Sequence, residues 1–88
     1  MEFEWDEEKR AATLAKNGID FVAAARLIEG NHILLEGADR GERRLLAIGL
    51  YRERLVAVVF TMRGHRVRII TARRARANEE RAYRAVFQ

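Results

Sequence analysis

Between Ile33 and Thr71 the chain carries four strand-like runs, Ile33–Leu35, Arg43–Tyr51, Leu55–Met62 and Arg66–Thr71, joined by loops of only a few residues. Those loops contain Gly37 and Gly41, then Arg52 and Glu53, then Gly64. Connections this short permit only antiparallel neighbours, because a parallel crossover needs a dozen residues or more. The runs therefore predict a four-stranded antiparallel meander. Leu55–Phe60 is almost wholly apolar, which predicts the central strand, covered on both faces. The Gly37–Gly41 loop reads as a turn alone, since no Gly-rich phosphate motif accompanies it.

Helical signals flank the strands. Phe3–Trp5 is too short for more than an edge strand. Asp6 is placed to cap a helix running to about Lys16, with Glu7 and Glu8 in its first turn and Lys16 in its last, each complementing the helix dipole. Ala11, Leu14 and Ala15 form the expected apolar face, and Gly18 the left-handed terminator. Asp20 is placed to cap a second helix closed by Gly30. So little of Phe21–Ile28 is polar that this helix is expected to be sandwiched between layers. At the other end, Arg66–Arg84 changes period. Val67, Ile69 and Thr71 alternate with Arg66 and Arg68 as in a half-buried strand, whereas Glu79, Tyr83, Val86 and Phe87 share one side of a helix for which Asn78 is a plausible N-cap. The fold class is α+β: two N-terminal helices, a four-stranded antiparallel meander and a C-terminal helix, in a single domain over residues 1–88.

Charge is distributed unevenly along this order. Residues 1–42 hold 5 basic and 10 acidic side chains (−5), residues 43–88 hold 12 and 3 (+9). Fifteen of the 17 basic residues are Arg, whose planar fork suits phosphate and carboxylate better than the point charge of Lys. Arg73, Arg74 and Arg76 fall between the last strand and the last helix, where a concentrated positive field could hold a polyanion. The competing reading is a solvated, arginine-rich surface. With no cysteine there is neither a disulfide scaffold nor a thiolate zinc site. No apolar run approaches the roughly 20 residues of a membrane span, and no basic-then-apolar opening segment signals export. A cytoplasmic protein without membrane association or cofactor is expected.

A series of short motifs then resembles a known family: Phe3-x-Trp5-Asp6-x-x-Lys9, Leu14-x-Lys16-x-Gly18-Ile19-x-Phe21-x-x-Ala24, Glu42-x-Arg44-x-x-x-Ile48-Gly49, Arg63, and Val67–Arg73 followed by Ala75, Glu79 and Tyr83. Together these resemble the BrnT toxins over nearly the whole chain. The resemblance implies a RelE-like fold, an endoribonuclease toxin of a type II toxin–antitoxin module, RNA as substrate, and a BrnA-like ribbon-helix-helix antitoxin through which DNA is met only indirectly. The family usually carries His where this chain has Asn17 and Ser where it has Thr71. The first change removes a titratable group, so a binding module without catalysis is the alternative.

RNA can be cut without a metal when the neighbouring 2′-hydroxyl attacks the phosphate, which requires a base, an acid for the leaving oxygen and positive charge on the developing phosphorane, the last of which arginines can supply. Arg68 is expected to leave the strand opposite Val67 and Ile69, with Arg73 at the corner and Arg63 approaching from the preceding turn. Glu79 and Tyr83, one helical turn apart on the inward side, complete the catalytic candidates, though Glu79 reads first as an orienting ion-pair partner of an arginine and Tyr83 first as a packed aromatic with its hydroxyl at the rim. Lys16, Arg44, Arg74 and Arg76 are the expected RNA contacts. The antitoxin is expected to lie across the face around Arg68 and Arg73, leaving the Asp6–Lys16 helix free. His32 and His65 match no family position, and no His and carboxylate pair has metal-ligand spacing.

Overall fold

The computed structural model describes residues 1–88. The chain runs β1 (Glu2–Glu4), α1 (Glu7–Asn17), α2 (Phe21–Glu29), β2 (Ile33–Glu36), β3 (Leu45–Tyr51), β4 (Arg54–Arg63), β5 (Arg66–Arg74) and α3 (Ala77–Val86). The meander from β2 to β5 forms as its short connections require, with β4 at the centre. The sheet is not four-stranded and antiparallel, however. It has five strands in the order β1-β5-β4-β3-β2, and β1 pairs with β5 in parallel, which makes the sheet mixed. A three-residue strand leaves little period to read, and its partner lies more than sixty residues away. Packing and charge hold it together: Phe3 packs against the core, Glu2 and Glu4 align with Arg66 and Arg68 in the register, and Arg66 and Arg68 pair with those carboxylates at 3.2 and 2.9 Å.

α1 and α2 cover one face of the sheet, against β3 and β5. Phe21, Ile28, Val58, Phe60, Val67 and Ile69 form the core there. Asp6 and Asp20 cap the two helices as expected, and Gly18 ends α1 at φ 71°. The face α1 buries differs from the expected one. Ala11, Leu14 and Ala15 point to solvent, Leu14 at 44% exposure, and Thr13 is the buried residue. α1 docks instead through two polar contacts about two turns apart: Arg10 to the Asp20 carboxylate, and the Asn17 amide donating to the Ala72 carbonyl at 2.8 Å. α2 is laid on the sheet and not sandwiched, since Val22, Arg26 and Glu29 form an exposed outer stripe. Its close approach needs Gly49, where a Cβ would sit 2.8 Å from the Leu27 side chain.

α3 packs on the opposite face, over β2 and β3, and leaves the β5 side of that face open. Its N-cap is Arg76, not Asn78, which lies inside the first turn. Val86 is exposed, while Phe87 stacks on Tyr83 at 5.0 Å between ring centroids. β5 also departs from simple alternation. Phe60 pairs with Ile69 but Val59 with Thr71, so Ile70 is the extra residue of a β-bulge. The bulge flips Thr71 away from the Val67 and Ile69 face. Arg68, Thr71 and Arg73, opposite Thr61, Val59 and Ala57, consequently all lie on the α3 side. No helix is long and apolar enough to cross a membrane.

Candidate nucleic-acid interface

β5 continues three residues past its expected end, so Arg73 and Arg74 belong to the strand and their side chains alternate. Arg73 faces α3. Its two terminal nitrogens donate to the two Glu79 oxygens at 2.9 Å each, a bidentate fork. Glu79 is 3% exposed, and its Oε1 also accepts from the Arg76 backbone N–H at 2.8 Å. The same carboxylate thus ties down β5 and satisfies an otherwise orphaned donor at the start of α3. The hydrogen bonds from Arg73 hold the Glu79 carboxyl below its usual value, and the pairing raises Arg73 in turn. Both groups are ionised at neutral pH, and the Nε–H of Arg73 has no protein partner.

Beside this pair lies a cleft of about 390 Å³ between α3, the Gly37–Gly41 loop and the sheet. Arg40, Arg44, Arg73 and Arg76 bring four guanidinium groups to it, against Glu36 and Glu79. Both carboxylates are already paired, Glu36 with Arg43 at 2.7 Å. Arg44, like Arg40 and Arg76, has no carboxylate within ion-pair distance; it differs from them in that its Nε is buried without a hydrogen-bond partner. Leaving a buried donor unpaired costs on the order of 1–3 kcal/mol, so Arg44 stands in the cleft wall with no partner inside the protein. The Gly37–Gly41 loop is therefore more than a turn: Gly37, Ala38 and Arg40 are cleft wall. Arg40 had no signal in the sequence beyond its charge, because a loop residue has no period by which its direction could be read.

The remaining expected site residues fall in three places. Arg68 shares the open face with Arg73 but is bonded to Glu4, whose carboxyl it holds below the usual value. Arg63 ends β4, not the turn after it, and lies 4.0 Å from Glu42. Arg44 joins Arg68 into one row, since Leu45 pairs with Phe60, which sets Arg44 opposite Thr61, the partner of Arg68. Arg74 emerges on the α1–α2 face, in a second depression. Lys16 is exposed at the end of α1, and Tyr83 borders a third depression beside Leu50 and Tyr51, away from the Arg73–Glu79 pair. His32 bonds the Gly30 carbonyl and His65 the Glu2 carboxylate, both outside the arginine cleft. His, Asp and Glu side chains do not gather in groups of three or more that could hold a metal ion.

With this geometry in place, comparison with protein-family models gives one match, described as "Ribonuclease toxin, BrnT, of type II toxin-antitoxin system", over residues 5–79. The matched segment includes Arg44, Arg73 and Glu79 and stops before Tyr83. No curated protein matches the chain significantly.

Proposed function

The chain belongs to the BrnT family, ribonuclease toxins of type II toxin–antitoxin systems with RNA as substrate and an antitoxin as partner, and on that premise we propose that the arginine cleft beside α3 is where RNA is cut. The observation that carries this reading is the unpartnered Arg44 guanidinium beside the fork-locked Arg73. In the proposed reaction a ribose 2′-oxygen attacks the adjacent phosphorus as the bond to the 5′-oxygen breaks. The products are a 2′,3′-cyclic phosphate and a 5′-hydroxyl. Arg44 and Arg73 bind the non-bridging oxygens and stabilise the charge that builds on the phosphorane. Arg40, Arg76 and, further along the row, Arg68 hold the flanking phosphates. Glu79 acts as a positioning residue: its oxygens are committed to Arg73 and to the α3 backbone, so the 2′-proton leaves to solvent and the 5′-oxygen is protonated from solvent. Tyr83 and Lys16 stand outside the reacting centre. RelE-like architecture, one toxin domain over the whole chain and action in the cytoplasm complete the proposal.

A binding module without catalysis remains the second reading because Asn17 replaces the family's usual His. The Asn17 amide is spent on the Ala72 carbonyl, on the sheet face opposite the arginine cleft, so the replaced position does not line that cleft. Purified protein incubated with total RNA in EDTA separates the two. Catalysis shortens the RNA without added metal, whereas binding alone retards it on a gel at full length.

The antitoxin, of the BrnA-like ribbon-helix-helix kind, is proposed to lay an acidic segment over the same cleft and so exclude RNA, while α1 stays outside the contact. Arg40 and Arg76 have no carboxylate partner in the fold, so Arg40→Glu with Arg76→Glu tests this without unpairing Glu79. Both RNA and antitoxin affinity should fall; an antitoxin bound as tightly as by wild type would place inhibition on another surface.

A further inference from the structure

Three depressions meet at Tyr51 and Arg52, where β3 turns into β4: one reaches Arg54 and Arg74, one Arg26 and Tyr83, and the third lies between them along α2. The first alone encloses about 360 Å³. Arg26, Arg52, Arg54 and Arg74 have no carboxylate within ion-pair distance, in contrast to Arg63, Arg66 and Arg68 at the other end of the sheet, which are all paired. Asp20 borders the depression along α2 but is committed to Arg10, and Glu53 is exposed and unpaired.

The turn itself is built at a cost. Tyr51 pairs with Arg54, which leaves Arg52 and Glu53 as a two-residue hairpin loop, at φ 49° and 64°. Asn and Gly take that conformation readily and longer side chains do not. The strained backbone sets the Arg52 guanidinium 5.3 Å from the centre of the Tyr51 ring. A cation stacked on an aromatic, flanked by unpaired arginines, is the pattern that holds single-stranded nucleic acid: phosphates on the cations, bases on the planar groups. Arg73 and Arg74 are adjacent on β5 and line clefts on opposite faces. A strand leaving the arginine cleft therefore needs only to pass over the end of β5 to reach Arg74 and Arg54.

We propose that the groove centred on Tyr51 and Arg52 is a second RNA-binding site, which holds the single-stranded segment flanking the cut. It rests on the cleavage reading above and extends it to substrate length: long RNA is gripped on both faces of the sheet, short RNA only in the arginine cleft. The test uses the full chain with mixed-sequence RNA made uncleavable by 2′-O-methylation, at about 12 and about 4 nucleotides, lengths that bracket one single-strand site. Arg52→Gly removes the guanidinium and suits the positive φ, and Arg74→Gln changes an exposed side chain, so both variants keep the fold. Together they should weaken binding of the long RNA about tenfold and flatten its log–log salt dependence by about 1.4, with the short RNA unaffected. If wild type cuts RNA yet the double variant holds the long RNA equally well, or loses only antitoxin affinity, the groove proposal is overturned alone. Wild type that neither binds nor cuts RNA overturns it together with the cleavage reading.

Discussion

At Glu79 three hydrogen bonds converge on two carboxylate oxygens inside a nearly closed environment. Because the folded chain holds this carboxyl below its usual 4.5, the unfolded chain takes up its proton first as the pH falls. The stabilisation is complete above about pH 4.5 and drains away as pH drops through the folded-state value. Glu79→Gln should lower stability at neutral pH by about 2–4 kcal/mol, since it leaves a partly buried guanidinium without its counter-charge. It should also make the acid side of a melting-temperature profile shallower than in wild type; parallel profiles would mean that Arg73 finds another partner. The pairing was legible in part, because a carboxylate on the inward side of a helix near a strand full of arginines needs a cation. Which arginine it would take was not legible. Arg68 and Arg73 look equivalent along the sequence, and Glu4 claims Arg68 only because β1 joins the sheet. The cleft's lack of histidine has a kinetic consequence. Cleavage should rise steadily through neutral pH with no inflection near the imidazole value of about 6.5, and a break there would bring His32 or His65 into the reaction.

Elements follow the sequence where a period is long and depart from it where a single residue changes that period. The apolar run in β4 and the caps of α1 and α2 are local signals, and they appear where the residues say. The bulge at Ile70 is not local: it is set by the pairing with β4, and it moves Thr71 across the sheet and puts Arg68 and Arg73 on one face. Alternation alone separates those two arginines, five positions apart. α1 shows a related failure. Its apolar spacing suggests a buried Leu14, but Arg10 and Asn17 find specific polar partners and Thr13 is buried between them, which fixes the opposite roll. At the α2–β3 contact, Gly49→Ala would force a Cβ into Leu27. Overpacking of this kind costs about 1–3 kcal/mol. Leu27→Ala in the same chain should recover part of that loss, so the two substitutions should be less than additive by thermal melting; strict additivity would mean that the helix shifts freely.

Over the whole molecule the charge division seen in the sequence becomes a division of the sheet. Carboxylates from the N-terminal residues neutralise the arginines beside β1, and the unpaired arginines collect by α3 and around Tyr51. This is why a net charge of +4 understates the field an RNA strand meets. Affinity for long single-stranded RNA should fall with log salt at about −0.7 per phosphate held, which for four to six contacts gives a slope near −3 to −4. A flat response would mean that the arginines are neutralised within the protein after all. Single-turnover cleavage by Arg44→Gln beside wild type, with melting temperature measured on the same samples, tests most directly whether Arg44 is the cleft's free donor to the scissile phosphate. Loss of one such preorganised donor costs on the order of 10²–10³ in rate, so the variant should cut at least a hundredfold more slowly at an unchanged or higher melting temperature. Equal rates in two equally folded proteins would contradict the assignment.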